Sequence, residues 1–277
     1  RMEEDADESR KLSGRAMALW EPNEQLRINA LYMSRSRRSG EPFFVTNFDA
    51  DYTRYDAPES SSTSRTFDLA SIDARYRFDW ATLVSLTAYQ NKENRFNFDT
   101  SYALASQLGE AGVEAGRTRR DVESRGLMQE FRLVSPDGGD WSWQAGIFYS
   151  DFNASVASDI YLTAAEIAQP LLNLVPQQLR DSFATENGIS LGNATTEPLI
   201  AEESALFGEV TRDFGSVNLT VGGRLYRTSV SGVNANAGLL PFITTRQTRT
   251  VEDLDVSSRG FSPKVALSWD ASDDILV

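Results

Sequence analysis

Residues 137–149 read Asp137-Gly138-Gly139-Asp140-Trp141-Ser142-Trp143-Gln144-Ala145-Gly146-Ile147-Phe148-Tyr149. The first four are strong turn formers. After them, bulky apolar residues mostly occupy the odd positions, while Ser142, Gln144 and Gly146 occupy even ones. Successive side chains of a β-strand point to opposite faces. The segment therefore predicts a tight turn followed by a strand with one apolar and one polar face.

The same alternation recurs along the chain and predicts about ten strands. Apolar and polar sets alternate in three further segments: Ile72, Ala74, Tyr76 and Phe78 with Asp73, Arg75 and Arg77; Val217, Leu219, Val221 and Leu225 with Asn218, Thr220, Arg224 and Tyr226; and Phe261, Val265 and Leu267 with Ser262, Lys264 and Ser268. The segment 205–212 does not alternate cleanly, because Phe207 and Glu209 share a face. Its orientation stays open at this point.

Connections between the strands fall into two length classes that alternate. Tight, turn-forming segments occur at residues 21–24, 79–81, 137–140, 213–216 and 270–274, and long polar stretches lie between them at roughly 36–65, 95–123, 154–201 and 232–256. The tight turns recur at intervals of about 58 residues, with one longer interval. Outer-membrane barrels have short periplasmic turns and long extracellular loops. The pattern therefore predicts an all-β, antiparallel transmembrane β-barrel.

Composition narrows the function classes. The chain has 277 residues, 40% of them hydrophobic, and a mean hydropathy of -0.38, which suits a barrel with a wet interior better than a membrane helix bundle. Cysteine and histidine are absent, so disulfides, thiolate or His-based zinc sites and Ser-His-Asp triads are excluded. The net charge of -13 disfavours nucleic acid as a partner, and we expect no cofactor and no catalytic residue.

Tryptophan is concentrated at the tight turns. The five tryptophans, Trp20, Trp80, Trp141, Trp143 and Trp269, all lie in a tight turn or within three residues of one. Indole rings favour the membrane interface, where the apolar ring meets the headgroups. We interpret the set as an aromatic girdle, the alternative being residues that cap the core of a soluble sandwich.

Several phrases along the chain resemble TonB-dependent receptors of the iron-complex type. They are Leu19-Trp20-Glu21-Pro22-Asn23, Gln129-Glu130-Phe131-Arg132-Leu133-Val134-Ser135-Pro136, Ala205-Leu206-Phe207-Gly208-Glu209-Val210-Thr211, Leu219-Thr220-Val221-Gly222-Gly223-Arg224-Leu225-Tyr226 and Phe261-Ser262-Pro263-Lys264-Val265. The resemblance implies a 22-stranded barrel in the bacterial outer membrane, filled by an N-terminal plug and energised through a TonB box. On this basis residues 1–277 are a partial barrel domain, and we expect the plug, the box and the C-terminal part of the barrel to lie outside it.

Two groups of residues are candidates for ligand contact. Charged residues predicted to line the lumen could form a substrate path or hold the plug: Arg75, Arg77, Arg132, Arg224 and Lys264, together with Glu130. Aromatic residues of the predicted loops could stack on a ligand or pack the loops together: Phe43, Phe44, Phe48, Tyr52, Tyr55, Phe96, Phe98 and Tyr102. For the lumenal charges, pairing or solvation is the simpler interpretation.

The longest predicted loop contains a helical signal. Thr163 can cap a short amphipathic helix that ends near Pro170, and a second short turn is predicted between Pro176 and Phe183. This loop could cover the barrel mouth or simply fold on itself. The acid pairs Asp49/Asp51 and Asp273/Asp274 could hold calcium, but the calcium-loop pattern is absent and solvated charge is the better interpretation.

The leading functional hypothesis is ligand-gated, TonB-dependent import of a scarce nutrient, such as a ferric siderophore, a saccharide or an aromatic compound. Its implied partners are outer-membrane lipid, the small-molecule ligand, the plug and the TonB complex. One rival is a soluble all-β glycan-binding or glycan-hydrolysing protein that uses a carboxylate pair such as Glu130 and Glu209. The other is a passive porin-type barrel.

Overall fold

The computed structural model describes residues 8–40, 61–101, 104, 116–163, 165–272 and 275–276. They form one antiparallel sheet. Its strands are β1 (Ser9–Trp20), β2 (Leu26–Ser39), β3 (Ser62–Arg77), β4 (Thr82–Asp99), β5 (Gly116–Val134), β6 (Trp141–Leu162), β7 (Ala184–Thr185), β8 (Gly188–Asp213), β9 (Val217–Ala237), β10 (Arg249–Ser272) and β11 (Ile275–Leu276).

Strand order in the sheet follows chain order. The path runs from β1 to β6 and continues from β8 to β11, while the short β7 pairs only with β8. This path of ten strands confirms the predicted all-β antiparallel class. Every connection on it is therefore a hairpin, and successive connections lie at opposite ends of the strands.

All short connections lie at the same end of the strands. Residues 21–25, 78–81, 135–140 and 214–216 join their strand pairs there, whereas the longer connections, 40–61, 100–115, 163–187 and 238–248, lie at the other end. The segregation predicted from the sequence is confirmed. We call the end with the short connections the turn edge and the end with the long connections the mouth edge.

Local chemistry fixes the turns. The side-chain oxygen of Asn23 accepts hydrogen bonds from the backbone N–H groups of Gln25 and Leu26, at 3.0 and 2.9 Å. Gly138 and Gly215 have φ values of 87° and 88°, a conformation that glycine adopts without the steric cost of a Cβ atom. These residues allow the chain to reverse within a few positions.

The strands are longer than the sequence predicted. Residues predicted as loop at both ends of each long stretch, including Phe96 and Phe98, continue the strands toward the mouth edge. In these extensions the outer face is polar and the inner face mixes polar and apolar side chains, so the apolar-outward alternation that marks the rest of the strand is lost. Backbone pairing nevertheless continues, because it satisfies the N–H and C=O groups whatever the side chains are.

Two helices and a 3-10 segment lie in the mouth-edge connections: α1 (Ala165–Leu172), the 3-10 segment Gln177–Phe183, and α2 (Leu239–Thr245). The predicted short helix is present and ends at Leu172, two residues beyond Pro170, where Leu171 and Leu172 pack on a hydrophobic cluster. The 3-10 segment confirms the second predicted turn. None of the described helices is long and apolar enough to cross a membrane.

The main hydrophobic cluster sits at the mouth edge. Its buried members, which we call the mouth cluster, are Leu104, Leu162, Ala168, Leu172, Val175, Phe183, Ile189, Leu191, Leu239 and Phe242. They come from the ends of β6 and β8 and from three different connections. The rings of Phe183 and Phe242 meet with centroids 5.7 Å apart. The long connection after β6 therefore folds on itself and also packs against the connection after β9.

Candidate functional site

The strand register assigns every paired side chain to one of two faces, because directly paired residues of neighbouring strands point to the same side. One face carries Trp143, Ile147, Leu206, Val221 and Val265. We call it the outer face and the opposite one the inner face. Phe207 and Glu209 lie on the inner face, opposite Gly146 and Gln144, which settles the segment that alternation alone left open.

The outer face is an apolar band. Ile147, Leu206 and Val265 each leave more than half of their surface exposed. Further exposed apolar residues of the band are Ile72, Phe131, Val210, Val221, Leu225 and Leu267. An apolar surface of this extent is unfavourable in water. It fits the hydrocarbon core of a membrane, where such side chains need no further cover.

Aromatic residues border the band at the turn edge. Trp20, Trp80, Trp141 and Trp269 are each at least half exposed. Trp80 stacks on Trp143 with ring centroids 6.4 Å apart, and the Arg212 guanidinium lies 4.9 Å from the centre of the Trp141 ring. The structure thus places the predicted girdle residues along one edge, and their contact with lipid headgroups stays a prediction.

A second aromatic row, which the sequence analysis missed, borders the band on the mouth side. It contains Tyr32, Tyr89, Tyr149 and Phe261. The hydroxyl of Tyr32 donates to Asp68 at 3.2 Å, and that of Tyr149 donates to Glu202 at 3.4 Å. The strand from Trp141 to Tyr149 is about 26 Å long, close to the height of about 25 Å of the apolar band in outer-membrane barrels. For Tyr149, the signal was available in the sequence as an aromatic residue that ends the alternating segment begun at Trp141.

All five predicted lumenal cations lie on the inner face, and each has a polar partner. The ion pairs are Arg75–Asp73 at 3.0 Å, Arg132–Glu130 at 3.6 Å, Lys264–Glu209 at 2.6 Å and Arg224–Glu203. Arg77 donates to the backbone oxygen of Glu24 at 2.9 Å. At the level of the apolar band, the inner face is therefore a neutralised polar lining.

Glu130 and Glu209 do not form a catalytic pair. They lie on β5 and β8 with β6 between them, opposite Phe148 and Gln144 respectively, which separates their Cα atoms by roughly 16 Å. Glycosidase carboxylates lie about 5–9.5 Å apart. Each of the two is also paired with its own cation. The geometry speaks against Glu130 and Glu209 as the carboxylate pair of a glycan hydrolase.

Two of the predicted loop aromatics lie in β4, on the inner face near the mouth edge. The rings of Phe96 and Phe98 stack with centroids 5.6 Å apart, and the Arg65 guanidinium lies 5.4 Å from the centre of the Phe96 ring. Phe43, Phe44, Phe48, Tyr52, Tyr55 and Tyr102 lie outside the described residues, as do Asp49, Asp51, Asp273 and Asp274.

The mouth cluster covers the inner side of the strand ends. Leu162 and Gly116 are paired on the inner face, and a Cβ atom added at Gly116 would lie 2.6 Å from the Leu104 side chain. Ile160, on the same face, packs against the cluster from below. Leu104 and the connections after β6 and β9 therefore lie over the inner side of the sheet.

An antiparallel meander with an apolar outer band, two aromatic borders and a paired polar inner face is part of the wall of an outer-membrane β-barrel. The chain belongs to the TonB dependent receptor-like, beta-barrel family, whose model matches residues 20–277. This family consists of outer-membrane transporters rather than enzymes. A comparison with curated proteins found no match.

Solved receptors share the fold at low sequence identity. The ferric yersiniabactin uptake receptor FyuA from Yersinia pestis matches with a TM-score of 0.71 and 11% identity over 96% of this chain and 36% of its own. The ferric citrate transporter FecA matches with a TM-score of 0.63 and 14% identity over 97% of this chain and 35% of its own. The copper transporter OprC matches with a TM-score of 0.57 and 12% identity over 97% of this chain and 35% of its own. The chain thus spans little more than a third of these receptors.

Proposed function

We propose that the full-length protein is a ligand-gated, TonB-dependent importer that carries a scarce nutrient across the outer membrane. The observation that carries this proposal is the division of the sheet into an apolar outer band and an inner face whose charges are paired. Such a wall suits a barrel that encloses a polar path. Family membership of the chain supports the same function.

The cargo that we propose is a ferric siderophore or a similar metal chelate. By their names, the three receptors above handle ferric yersiniabactin, ferric citrate and copper. Saccharides and aromatic compounds are the alternative cargo classes against which this choice has to be tested.

The proposed partners follow from the two faces. Outer-membrane lipid contacts the apolar band. A plug belonging to the same protein occupies the space beside the inner face, where Arg75, Arg77, Arg132, Arg224 and Lys264 hold the plug or border the substrate path. The TonB complex acts on a box in the N-terminal part of the full-length protein.

Uptake by cells tests the proposal. Cells expressing the full-length receptor are given radiolabelled iron as ferric citrate, as a ferric tris-catecholate or as a ferric hydroxamate, with and without a functional TonB. We expect uptake of at least one chelate to depend on both the receptor and TonB. Uptake that persists without TonB would instead indicate a passive pore, and receptor-dependent growth on a saccharide, without any uptake of iron, would contradict the chelate.

A further inference from the structure

Three cations lie directly opposite one another on the inner face, on the mouth side of the apolar band. Lys11 of β1 pairs with Arg37 of β2, and Arg37 pairs with Arg65 of β3. Neighbouring strands are about 4.8 Å apart, and like charges directly opposite each other destabilise a sheet. Negative charge lying against this row would relieve the repulsion.

Further cations surround the row. The row nearer the band pairs Arg35 with Phe67 and Phe67 with Lys92, and the row nearer the mouth pairs Phe96 with Arg120. We call the set the cationic wall: Lys11, Arg35, Arg37, Arg65, Lys92 and Arg120. The other paired positions in these three rows, from β1 to β5, are hydroxyl, amide or apolar residues: Ser9, Ser13, Ser39, Thr63, Phe67, Asn94, Phe96, Val122 and Ser124. The described inner face contains no acidic residue in these rows.

The side chains of the wall are accessible and partly held in place. All except the half-buried Arg37 are exposed. The Nε atom of Arg37 donates to the Ser9 hydroxyl at 3.1 Å, and Arg65 lies over the Phe96 ring. The wall thus combines fixed hydrogen-bond donors with an aromatic surface formed by Phe96 and Phe98.

The cationic wall is a local feature and does not follow from the general charge of the chain, whose net charge is -13. On the outer face of the same strands, two of the cations are paired with acids: Arg95 lies 3.9 Å from Glu93, and Arg119 lies 3.0 Å from Asp121. Nearer the turn edge, Arg75 and Arg132 on the inner face are also paired. Within the described part of the inner face, a row of directly adjacent like charges therefore lies on the mouth side, where a ligand entering the mouth would meet the cationic wall.

We propose that the cationic wall recognises a polyanionic ligand, whose negative oxygen atoms contact the arginine and lysine side chains and whose planar groups meet Phe96 and Phe98. This proposal rests on the proposed import function and narrows its cargo to chelates with several negative charges, such as ferric carboxylates and ferric catecholates. A neutral hydroxamate chelate or a neutral saccharide does not suit the wall.

The test compares two charge-matched double variants of the full-length receptor in detergent. R37Q/R65Q removes two charges from the wall, while R38Q/R119Q removes two from the outer face of the same strands. The probes are ferric citrate, a ferric tris-catecholate and a neutral ferric hydroxamate, with dissociation constants measured by calorimetry. We expect R37Q/R65Q to weaken polyanion binding by about tenfold to a hundredfold, as charge-assisted hydrogen bonds are lost, and R38Q/R119Q to change it by less than about twofold.

Thermal unfolding supplies a readout that does not depend on finding the natural ligand. Because the wall cations repel one another, R37Q/R65Q should raise the Tm of the ligand-free receptor at low ionic strength, and the difference should shrink as salt is added. A lower Tm whose deficit shrinks as salt is added would show that acids elsewhere in the full-length chain already pair with the wall, and would overturn the proposal. The salt dependence separates this outcome from loss of the Arg37–Ser9 hydrogen bond and the Arg65–Phe96 contact, which salt does not screen.

The two proposals fail in different ways. Polyanions that bind no more tightly than the neutral hydroxamate, or equal losses in the two double variants, would refute the cationic wall while leaving TonB-dependent import in place. Uptake that is independent of TonB, combined with loss of polyanion binding in R37Q/R65Q alone, would refute active import while supporting the wall.

Discussion

The ring of Phe207 in β8 lies across Gly146, its direct partner in β6. A Cβ atom added at Gly146 would lie 2.6 Å from Cζ of the phenylalanine and 2.6 Å from the backbone oxygen of Phe131. Phe207 also lies 6.0 Å from the guanidinium of Arg224, measured to the ring centre. The glycine therefore makes room for the aromatic ring, which packs over β6 on the inner face.

Substituting this glycine should destabilise the barrel. We expect Gly146→Ala to lower the free energy of unfolding by about 1–3 kcal/mol, because the methyl group overlaps both the ring and the backbone. Urea titration of the refolded full-length protein, followed by tryptophan fluorescence, measures the loss.

Two further variants check the cause of that loss. Gly14→Ala is the matched control, since no atom lies within 4 Å of the added Cβ, and it should change stability by less than about 0.5 kcal/mol. The double variant G146A/F207A should lose less than the sum of the two single changes. Strict additivity would show that Phe207 does not contact the added methyl group.

The part of the fold that the sequence predicts is the part where the two faces differ in polarity. Ile147 and Gln144 fall on opposite faces of β6 as predicted, because the membrane requires an apolar outer face and the lumen tolerates a polar one. Beyond Tyr149 the outer face of β6 turns polar, with Asp151 and Asn153, while the inner face mixes polar residues with apolar ones such as Val156, so the alternation that marks the membrane-facing part is absent there. The strand extensions, and with them Phe96 and Phe98, were for that reason assigned to loops.

The candidate site depends on register, which the sequence does not provide. The arginines at positions 35, 37 and 38 are close in sequence and look like one basic cluster among acids. In the sheet, Arg35 and Arg37 face inward while Arg38 faces outward. That Arg37 lies opposite Arg65 follows only from the pairing of β2 with β3 across a connection of more than twenty residues. No local signal in the sequence specifies that pairing.

Two neighbouring residues of β10 should report the lipid on the outer face of the sheet and the water on its inner face. Val265 lies on the outer face and Ala266 on the inner face, opposite Val221 and Thr220 respectively. Because this chain contains no cysteine, single Val265→Cys and Ala266→Cys variants can carry a spin label in a full-length receptor freed of any other cysteine. We expect the label at position 265 to be accessible to oxygen dissolved in the lipid and the label at 266 to a water-soluble nickel chelate.

Equal access of the nickel chelate to both labels, in receptor reconstituted into bilayers, would contradict the assignment of the faces. The same pair of variants in detergent-free aqueous buffer also tests solubility. A protein that stays monodisperse there would not need its apolar band covered by lipid.

The contact between Lys264 and Glu209 should contribute little to stability despite its short distance of 2.6 Å. Lys264 is more than half exposed, and exposed ion pairs are screened by water. A double-mutant cycle of Lys264→Met and Glu209→Gln should give a coupling of less than about 1 kcal/mol in urea unfolding. A coupling above about 3 kcal/mol would mean that the pair is desolvated in the complete barrel, as contact with a plug would cause.

Packing within the mouth cluster should keep the connections at the mouth edge folded. Phe242 is buried, with 5% of its surface exposed, and its ring meets that of Phe183. Phe242→Ala removes this contact and should destabilise the cluster by about 3–5 kcal/mol, as for other buried phenylalanines. Because the strands are held by their own hydrogen bonds, we expect the loss to stay local. Limited proteolysis of intact cells should therefore cut between residues 163 and 187 much faster in the variant, while the barrel stays folded.

Leu174→Ala is the control from the same connection, since Leu174 is 57% exposed and its removal should leave the cleavage rate nearly unchanged. Equal protection of the Phe242→Ala variant and the unmodified receptor would show that α2 does not hold the neighbouring connection in place.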